Sequence, residues 1–267
     1  MIPSIRKYPR TPHLEGSRLQ PGDEDLSQVP FSEIAGRHIV IEEKIDGANT
    51  AVSFAPGGEL LLQSRGHYLT GGYREKHYQL FKQWATIQRP LLWEALGARY
   101  ILYGEWMYAK HTIYYDALPH YLMAFDLYDR ETDRFLDTPG RCALTAGLPV
   151  CHVPVLGEGV FRRPEQVLRL LGDSRFITEN HLLRLRETAE RAGLDADLIL
   201  RQTDPARTME GLYIKVEEDG AVTRRVKFVR ASFLQTVEAS ESHWLERPII
   251  PNGLCRPVDA LFQETLA

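Results

Sequence analysis

The stretch LYIKVEEDGAVTRRVKFVR, residues 212–230, constrains the fold more than any other. Two runs of alternating apolar and polar residues flank Asp219-Gly220, a pair suited to the positive φ angles of a tight turn, so the segment reads as a β-hairpin. Alternation places Arg225 and Lys227 on one face of its second arm and Arg224 on the other. Shorter strand-like runs precede it: HIVIEE (38–43), TAVSF (50–54), ELLLQS (59–64), RYILYGEW (99–106) and YLMAFDLYD (121–129). Pro56-Gly57-Gly58 marks a further hairpin turn. Residues 74–97 are helical in composition, with a break before Pro90. PEQVLRLL, TENHLLRLRETAERAG and DADLILRQ, between 164 and 202, read as helices, with Thr178 expected to cap the middle one and Gly193 to end it. A last helix is expected over about 231–246. The class is α+β, mostly antiparallel β-sheets flanked by helices.

Pro3, Pro9, Pro12, Pro21 and Pro30 break the first 30 residues, which read as an irregular arm, 1–30, lying over the domain. The domain itself is expected over 31–246, with a helical insertion at about 162–203 and a Pro-rich tail, 247–267. A chain of 267 residues with 43% hydrophobic and 25% charged content is ordinary for a globular protein with a sizeable core. Its net charge of −4 gives no global attraction for nucleic acid, so any such contact must rest on local patches. The three cysteines, Cys142, Cys151 and Cys255, lack metal-type spacing and form no disulfide framework, which favours a reducing cytoplasm. No apolar run approaches the roughly 20 residues of a membrane helix, and the N-terminus lacks a signal-peptide core.

EEKIDGAN (42–49) follows the apolar run HIVI (38–41). A lysine between acids and an Asp-Gly turn is by itself a common solvated turn. Its meaning comes from an ordered set of residues further along the chain: Ser64-Arg65-Gly66, Tyr103-Gly104-Glu105, Phe125-Asp126, Glu210-Gly211 and Arg225-Val226-Lys227, each at or near a strand. An unpaired Glu105 among apolar neighbours would be costly, which argues for a partner or ligand there.

The series KIDG, SRG, YGE, FD, EGLYIK and RVK resembles the six ordered motifs of the covalent nucleotidyltransferases, the ATP-dependent ligases and mRNA capping enzymes. The resemblance spans about residues 38–230 and implies the adenylation-domain fold of the ATP-dependent ligases. Where DNA ligases and capping enzymes typically carry arginine, this chain has Asn49, which is similar to the RNA ligases that join 3′-hydroxyl to 5′-phosphate ends. GEWMYAKHTIYYDALPHY also looks like their pattern. The residues after Arg230 are too few for the oligonucleotide-binding barrel of DNA ligases, so the chain is expected to lack one.

The resemblance implies that Lys44 attacks the α-phosphorus of ATP, expelling pyrophosphate and leaving AMP on the lysine. AMP would then pass to a 5′-phosphate, and a 3′-hydroxyl would displace it. The attacking amine must be neutral although an ordinary lysine titrates near 10.4, and Lys227, Arg225 and a bound divalent metal are expected to lower it. Glu43 is expected to turn aside. Mg²⁺ or Mn²⁺ suits in-line phosphoryl transfer. The resemblance further implies a catalytic role for Asp46, metal binding by Glu210, with Asn49 acting through water, and α-phosphate contact by Lys227. It assigns the ribose or its phosphate to Arg65 and Glu105, adenine stacking to Phe125, and the adenine edge to the neighbourhood of Glu42 and Glu43. Lys110, His111 and, on the arm, Arg6, Lys7, Arg10 and Arg18 are candidate nucleic-acid contacts. The expected partners are RNA ends or a nicked duplex, with an end-healing kinase or phosphatase alongside and no membrane. A DNA or mixed RNA/DNA nick-sealing ligase, and a nucleotide-binding regulator without turnover, are the competing functions.

Overall fold

The structure is a computed structural model that describes residues 3–19, 28–239 and 247–263. The strands are β1 (His38–Lys44), β2 (Ala48–Phe54), β3 (Leu60–Ser64), β4 (Tyr100–Trp106), β5 (Leu122–Asp129), β6 (Arg134–Phe135), β7 (Cys151–His152), β8 (Val155–Val160), β9 (Gly211–Glu218) and β10 (Ala221–Val229). They form one sheet of order β10-β9-β1-β8 and a second of order β3-β2-β4-β5-β6, with β7 beside β5. Every pairing is antiparallel except the short β5–β7 contact. The fold is thus α+β with mainly antiparallel sheets, as the alternating runs require.

The hairpin of β9 and β10 turns at Asp219 and Gly220, both at positive φ (51° and 75°). In this first sheet the alternation separates two environments. Ile39, Ile41, Leu212, Ile214 and Val226 pack on one face, against Leu14 and Ile34 from the N-terminal segment and Val167. The register sets Glu42 opposite Tyr213 and Lys44 opposite Gly211. It also sets Arg225 opposite Lys215 and Lys227 opposite Tyr213. These polar residues therefore share the other face, which looks toward the second sheet.

The helices are α1 (Gln79–Ile87), α2 (Arg89–Leu96), α3 (Thr138–Leu144), α4 (Pro164–Leu168), α5 (His181–Arg191), α6 (Ala196–Arg201) and α7 (Ala231–Ala239). The break expected before Pro90 falls at Gln88, between α1 and α2. Phe81, Trp84 and Leu92 from these two helices join Phe54, Leu102, Trp106 and Leu127 in the larger core. Between β8 and β9, α5 packs on α6 through Leu185, Ala189 and Ile199, with Tyr114 and Ile250 completing the cluster.

Thr178 does not cap α5. The buried Asp116 takes its N–H at 2.7 Å and its hydroxyl at 2.5 Å, and the helix begins after Asn180. Gly193 does lie just beyond the end of α5, at φ 68°. The last helix covers Ala231–Ala239, and the rest of its expected span, 240–246, lies outside the described residues.

Among the described glycines, Gly211 holds the closest backbone approach. A Cβ there would lie 1.9 Å from the Phe228 carbonyl oxygen, so β9 and β10 can keep their spacing only with glycine. Gly211→Ala is expected to destabilise the protein by about 3 kcal/mol, at the upper end of overpacking costs. A thermal melt followed by circular dichroism tests this, and an unchanged midpoint would refute it.

Candidate active site

Between the two sheets lies a cleft lined by Tyr8, Lys44, Asn49, Glu105, Phe125 and Tyr213 among others. Lys44 ends β1, and its Nζ lies 2.6 Å from Oε1 of Glu210, the residue just before β9. Antiparallel pairing of Lys44 with Gly211 brings this pair together from 166 positions apart. Burial lowers the Lys44 pKa, but Glu210, Glu105 and Asp46 outweigh it and hold the ammonium above its ordinary value. Burial raises the Glu210 carboxyl, which Lys44 only partly offsets. Among the protein groups, then, the neighbouring acids rather than Lys227 or Arg225 set the direction of the Lys44 shift.

Arg225 supplies part of the reason. It shares a face with Lys227, but its Nε donates to Asp126 at 2.9 Å and its guanidinium lies 4.0 Å over the Phe135 ring. Its charge is committed to the second sheet, not to a phosphate site beside Lys44. Lys227 is buried on the cleft face within electrostatic reach of Glu210.

Asp46 is tied to the segment that follows β4. Its Oδ2 accepts the N–H groups of Thr112 and Ile113 at 2.7 and 2.8 Å, and His111 Nδ1 lies 3.7 Å from Oδ1. Burial would raise its pKa, but His111 and the two amides overcome this and lower it. Its own N–H donates to the Tyr115 hydroxyl at 2.9 Å. Asp46 therefore pins the turn that carries Lys44 to the segment after β4.

Glu43 faces away from Lys44, as expected. Burial lifts its carboxyl to about 7, with Ser174 and Arg175 opposing. Glu42 borders the cleft, but its carboxylate is bonded to Arg141 and Lys215, each at 2.7 Å. Any reading of a base edge there falls to the backbone.

Phe125 lines the cleft and is buried. Its carbonyl accepts from both Arg141 and Lys215, which fixes this wall. Asn49 and Glu105 face each other across β2 and β4. Among the described residues, Asn49 Oδ1 and Glu105 Oε2 are buried with no hydrogen-bond partner. Burial, with Lys44 opposing and Glu210 and Asp46 adding, pushes the Glu105 carboxyl up to about 8. Arg65 is exposed beyond β3 and acts on Glu105 only electrostatically.

Two unpartnered buried oxygens beside a carboxylate suit a hard divalent cation and its waters. Among the described residues, no three His, Cys, Asp or Glu side chains form a metal cage.

The remaining candidates divide. Lys110 is buried, donating to the carbonyls of His111 and Gln202 at 3.0 and 3.2 Å, so it does not face a nucleic acid. Burial, aided by Arg247, lowers it to about 7. His111 is buried beside Asp46. Arg6 pairs with Asp133 at 2.9 Å and lies 3.8 Å over Tyr128, and Arg18 bonds Glu238 at 2.9 Å. Lys7 and Arg10 are exposed.

Sequence reasoning missed Arg141, Lys215, Tyr8 and Arg247. Lys215 alternates with Tyr213 toward the cleft, a signal present in the hairpin pattern. Arg247, with its NH1 3.4 Å from the His111 carbonyl, comes from a segment with no motif.

The family model for RNA ligases matches residues 37–229. The chain belongs to the RNA ligase family. No curated protein matches it significantly. Among solved structures it is similar to a Naegleria gruberi RNA ligase mutant with ATP and Mn, at 18% identity and TM-score 0.54, covering 88% of this chain and 59% of that one. A mutant of the same ligase with AMP and Mn gives 16% identity and TM-score 0.54, with the same coverages. A further mutant, in the apo form, gives 16% and 0.55, covering 89% and 59%. These likenesses show the nucleotidyltransferase fold of RNA ligases, and this family member spans about three-fifths of the neighbours' length. Among the described residues no helix is long and apolar enough to cross a membrane.

Proposed function

We propose that the chain is an ATP-dependent RNA ligase that seals 3′-hydroxyl and 5′-phosphate ends through AMP carried on Lys44. The observation that carries this reading is the Lys44 Nζ–Glu210 Oε1 contact of 2.6 Å at a cleft that Phe125 walls. Glu210 orients the Lys44 amine, which must first lose its proton to solvent. The neutral Nζ then attacks the α-phosphorus: an N–P bond forms, the bridging P–O bond breaks, and pyrophosphate leaves. Lys227, on the same sheet face, neutralises the α-phosphate. A 5′-phosphate oxygen next displaces Lys44 from phosphorus, and the 3′-hydroxyl, losing its proton, displaces AMP and closes the strand. Asp46 keeps Lys44 in place through each step by tying its turn to Thr112 and Ile113.

Mg²⁺ or Mn²⁺, which the Naegleria ligase structures pair with nucleotide as Mn, would be held by Asn49, Glu105 and Glu210. When bound it would supply neutralisation of phosphate charge. The adenine ring would lie against Phe125.

The test is incubation with α-labelled ATP and Mg²⁺ or Mn²⁺. Label is expected to stay with the denatured protein and to be released by acid. A folded, metal-supplied protein that takes no label would end the proposal. Nicked duplexes with RNA or DNA on either side of the break then define the substrate, and faster sealing of all-DNA nicks would exclude an RNA preference.

A further inference from the structure

Tyr8 lies outside the family-matched segment, 37–229, yet it lines the cleft. Its ring meets Phe125 edge-on, centroids 5.0 Å apart, and Tyr103 at 5.2 Å. Its hydroxyl donates to Asp126 Oδ2 at 2.5 Å and is bonded to the Tyr213 hydroxyl at 2.7 Å. Tyr213 in turn is bonded to Thr11 Oγ1 at 2.8 Å.

The backbone around Tyr8 is anchored on both sides of the cleft. Before it, the Arg6 carbonyl accepts from Gln63 Nε2 at 3.0 Å and from the Tyr103 hydroxyl at 2.7 Å, both in the second sheet. After it, the Lys227 N–H donates to the Pro12 carbonyl at 3.0 Å, and the Leu14 N–H donates to the Lys227 carbonyl at 2.8 Å, along the edge of the first sheet. The arm therefore crosses from one sheet to the other, with a buried tyrosine at the crossing. Bonded at both ends, it is ordered before any ligand arrives.

We infer that the arm is a wall of the nucleotide pocket, and that Tyr8 is a positioning residue that fixes the Phe125 ring and limits how large a base the pocket admits. This rests on reading the cleft as the ATP site. Arg141 and Lys215 clamp the Phe125 carbonyl, so the backbone there cannot move. What remains free is the ring, and Tyr8 occupies the space into which it would turn. The ring of Tyr8 does this by packing, whereas its hydroxyl serves the Asp126 cluster. The two parts separate by substitution.

Wild type, Tyr8→Phe and Tyr8→Ala are compared by calorimetric titration with AMP, and by label transfer from ATP and from an ATP analogue enlarged at N6. Tyr8→Phe is expected to keep AMP affinity within about threefold, because the ring remains. Tyr8→Ala is expected to weaken AMP by about tenfold and to raise the KM for ATP more than it lowers kcat. It should also narrow the preference for ATP over the enlarged analogue by about tenfold, a change that a merely structural role would not produce. If Tyr8→Ala does not fold, Tyr8→Leu, which keeps most of the buried volume, answers the same question. A folded variant with wild-type AMP affinity and wild-type analogue preference overturns the inference. Wild type that binds AMP but takes no label removes the ligase reading alone and leaves the binding comparison to decide Tyr8. Wild type that does not bind AMP overturns both.

Discussion

Lys44→Ala and Lys44→Arg will both take no label from α-labelled ATP, although the second keeps the buried ion pair. Arginine can hold its charge against Glu210, where the wild-type contact is 2.6 Å. Its guanidinium does not lose a proton below about pH 12, so it offers no lone pair to phosphorus. Lys44→Ala removes the amine and leaves Glu210 buried without that cation, a situation that costs about 1–3 kcal/mol or more for a charged group. The Glu210 carboxyl, already raised by burial, relieves the cost by taking a proton. Both variants should therefore fold, and circular dichroism should show it. Arginine at 44 supporting wild-type labelling would mean that charge, not nucleophilicity, is what this position supplies. Label on a folded alanine variant would place the nucleophile elsewhere.

How far the sequence led is clearest in single residues. Lys44 and Glu210 were each legible beside a strand-like run, but their contact was not, because it depends on the pairing of β1 with β9. The common face of Arg225 and Lys227 was legible from alternation alone. That Arg225 would be claimed by Asp126 was not, because its partner stands on the other sheet, 99 positions away. Lys110 read as a surface cation because nothing nearby in sequence hides it. The chain near Ile250 covers it, its carbonyl accepting the Lys110 N–H at 2.8 Å. The strand β8 escaped notice because Gly157 and Gly159 break its alternation, yet pairing with β1 holds it extended. Local pattern specifies an element and its faces, while charge partners depend on how the elements are brought together.

The buried charges that join the two sheets carry the other large effect. Asp126 bonds Lys215 and Arg225, each at 2.9 Å, and accepts from Tyr8. Glu42 bonds Lys215 and Arg141. Three cations thus share two carboxylates, and Asp126→Asn leaves them with one. Breaking a buried pair by removing one partner costs about 3–5 kcal/mol, because the remaining charge stays desolvated. The variant's melting midpoint should fall by roughly 10 °C for a chain of this size.

Acid dependence gives the cause a second signature. Burial raises the Asp126 carboxyl, but Arg225, Lys215, Tyr8 and Arg141 overcome it and hold it at about 2. A carboxyl depressed in the folded state stabilises at every pH above its unfolded value, near 3.9, and loses that contribution as pH falls through the folded value. The gap between wild type and Asp126→Asn should therefore stay constant from about pH 5 to 8 and close between about pH 4 and 2. Equal midpoints for the two proteins at neutral pH would show that the three cations are satisfied without Asp126. A gap that persists unchanged to pH 2 would show that the carboxylate's charge is not what stabilises the fold, and that the loss comes from packing around the substituted side chain.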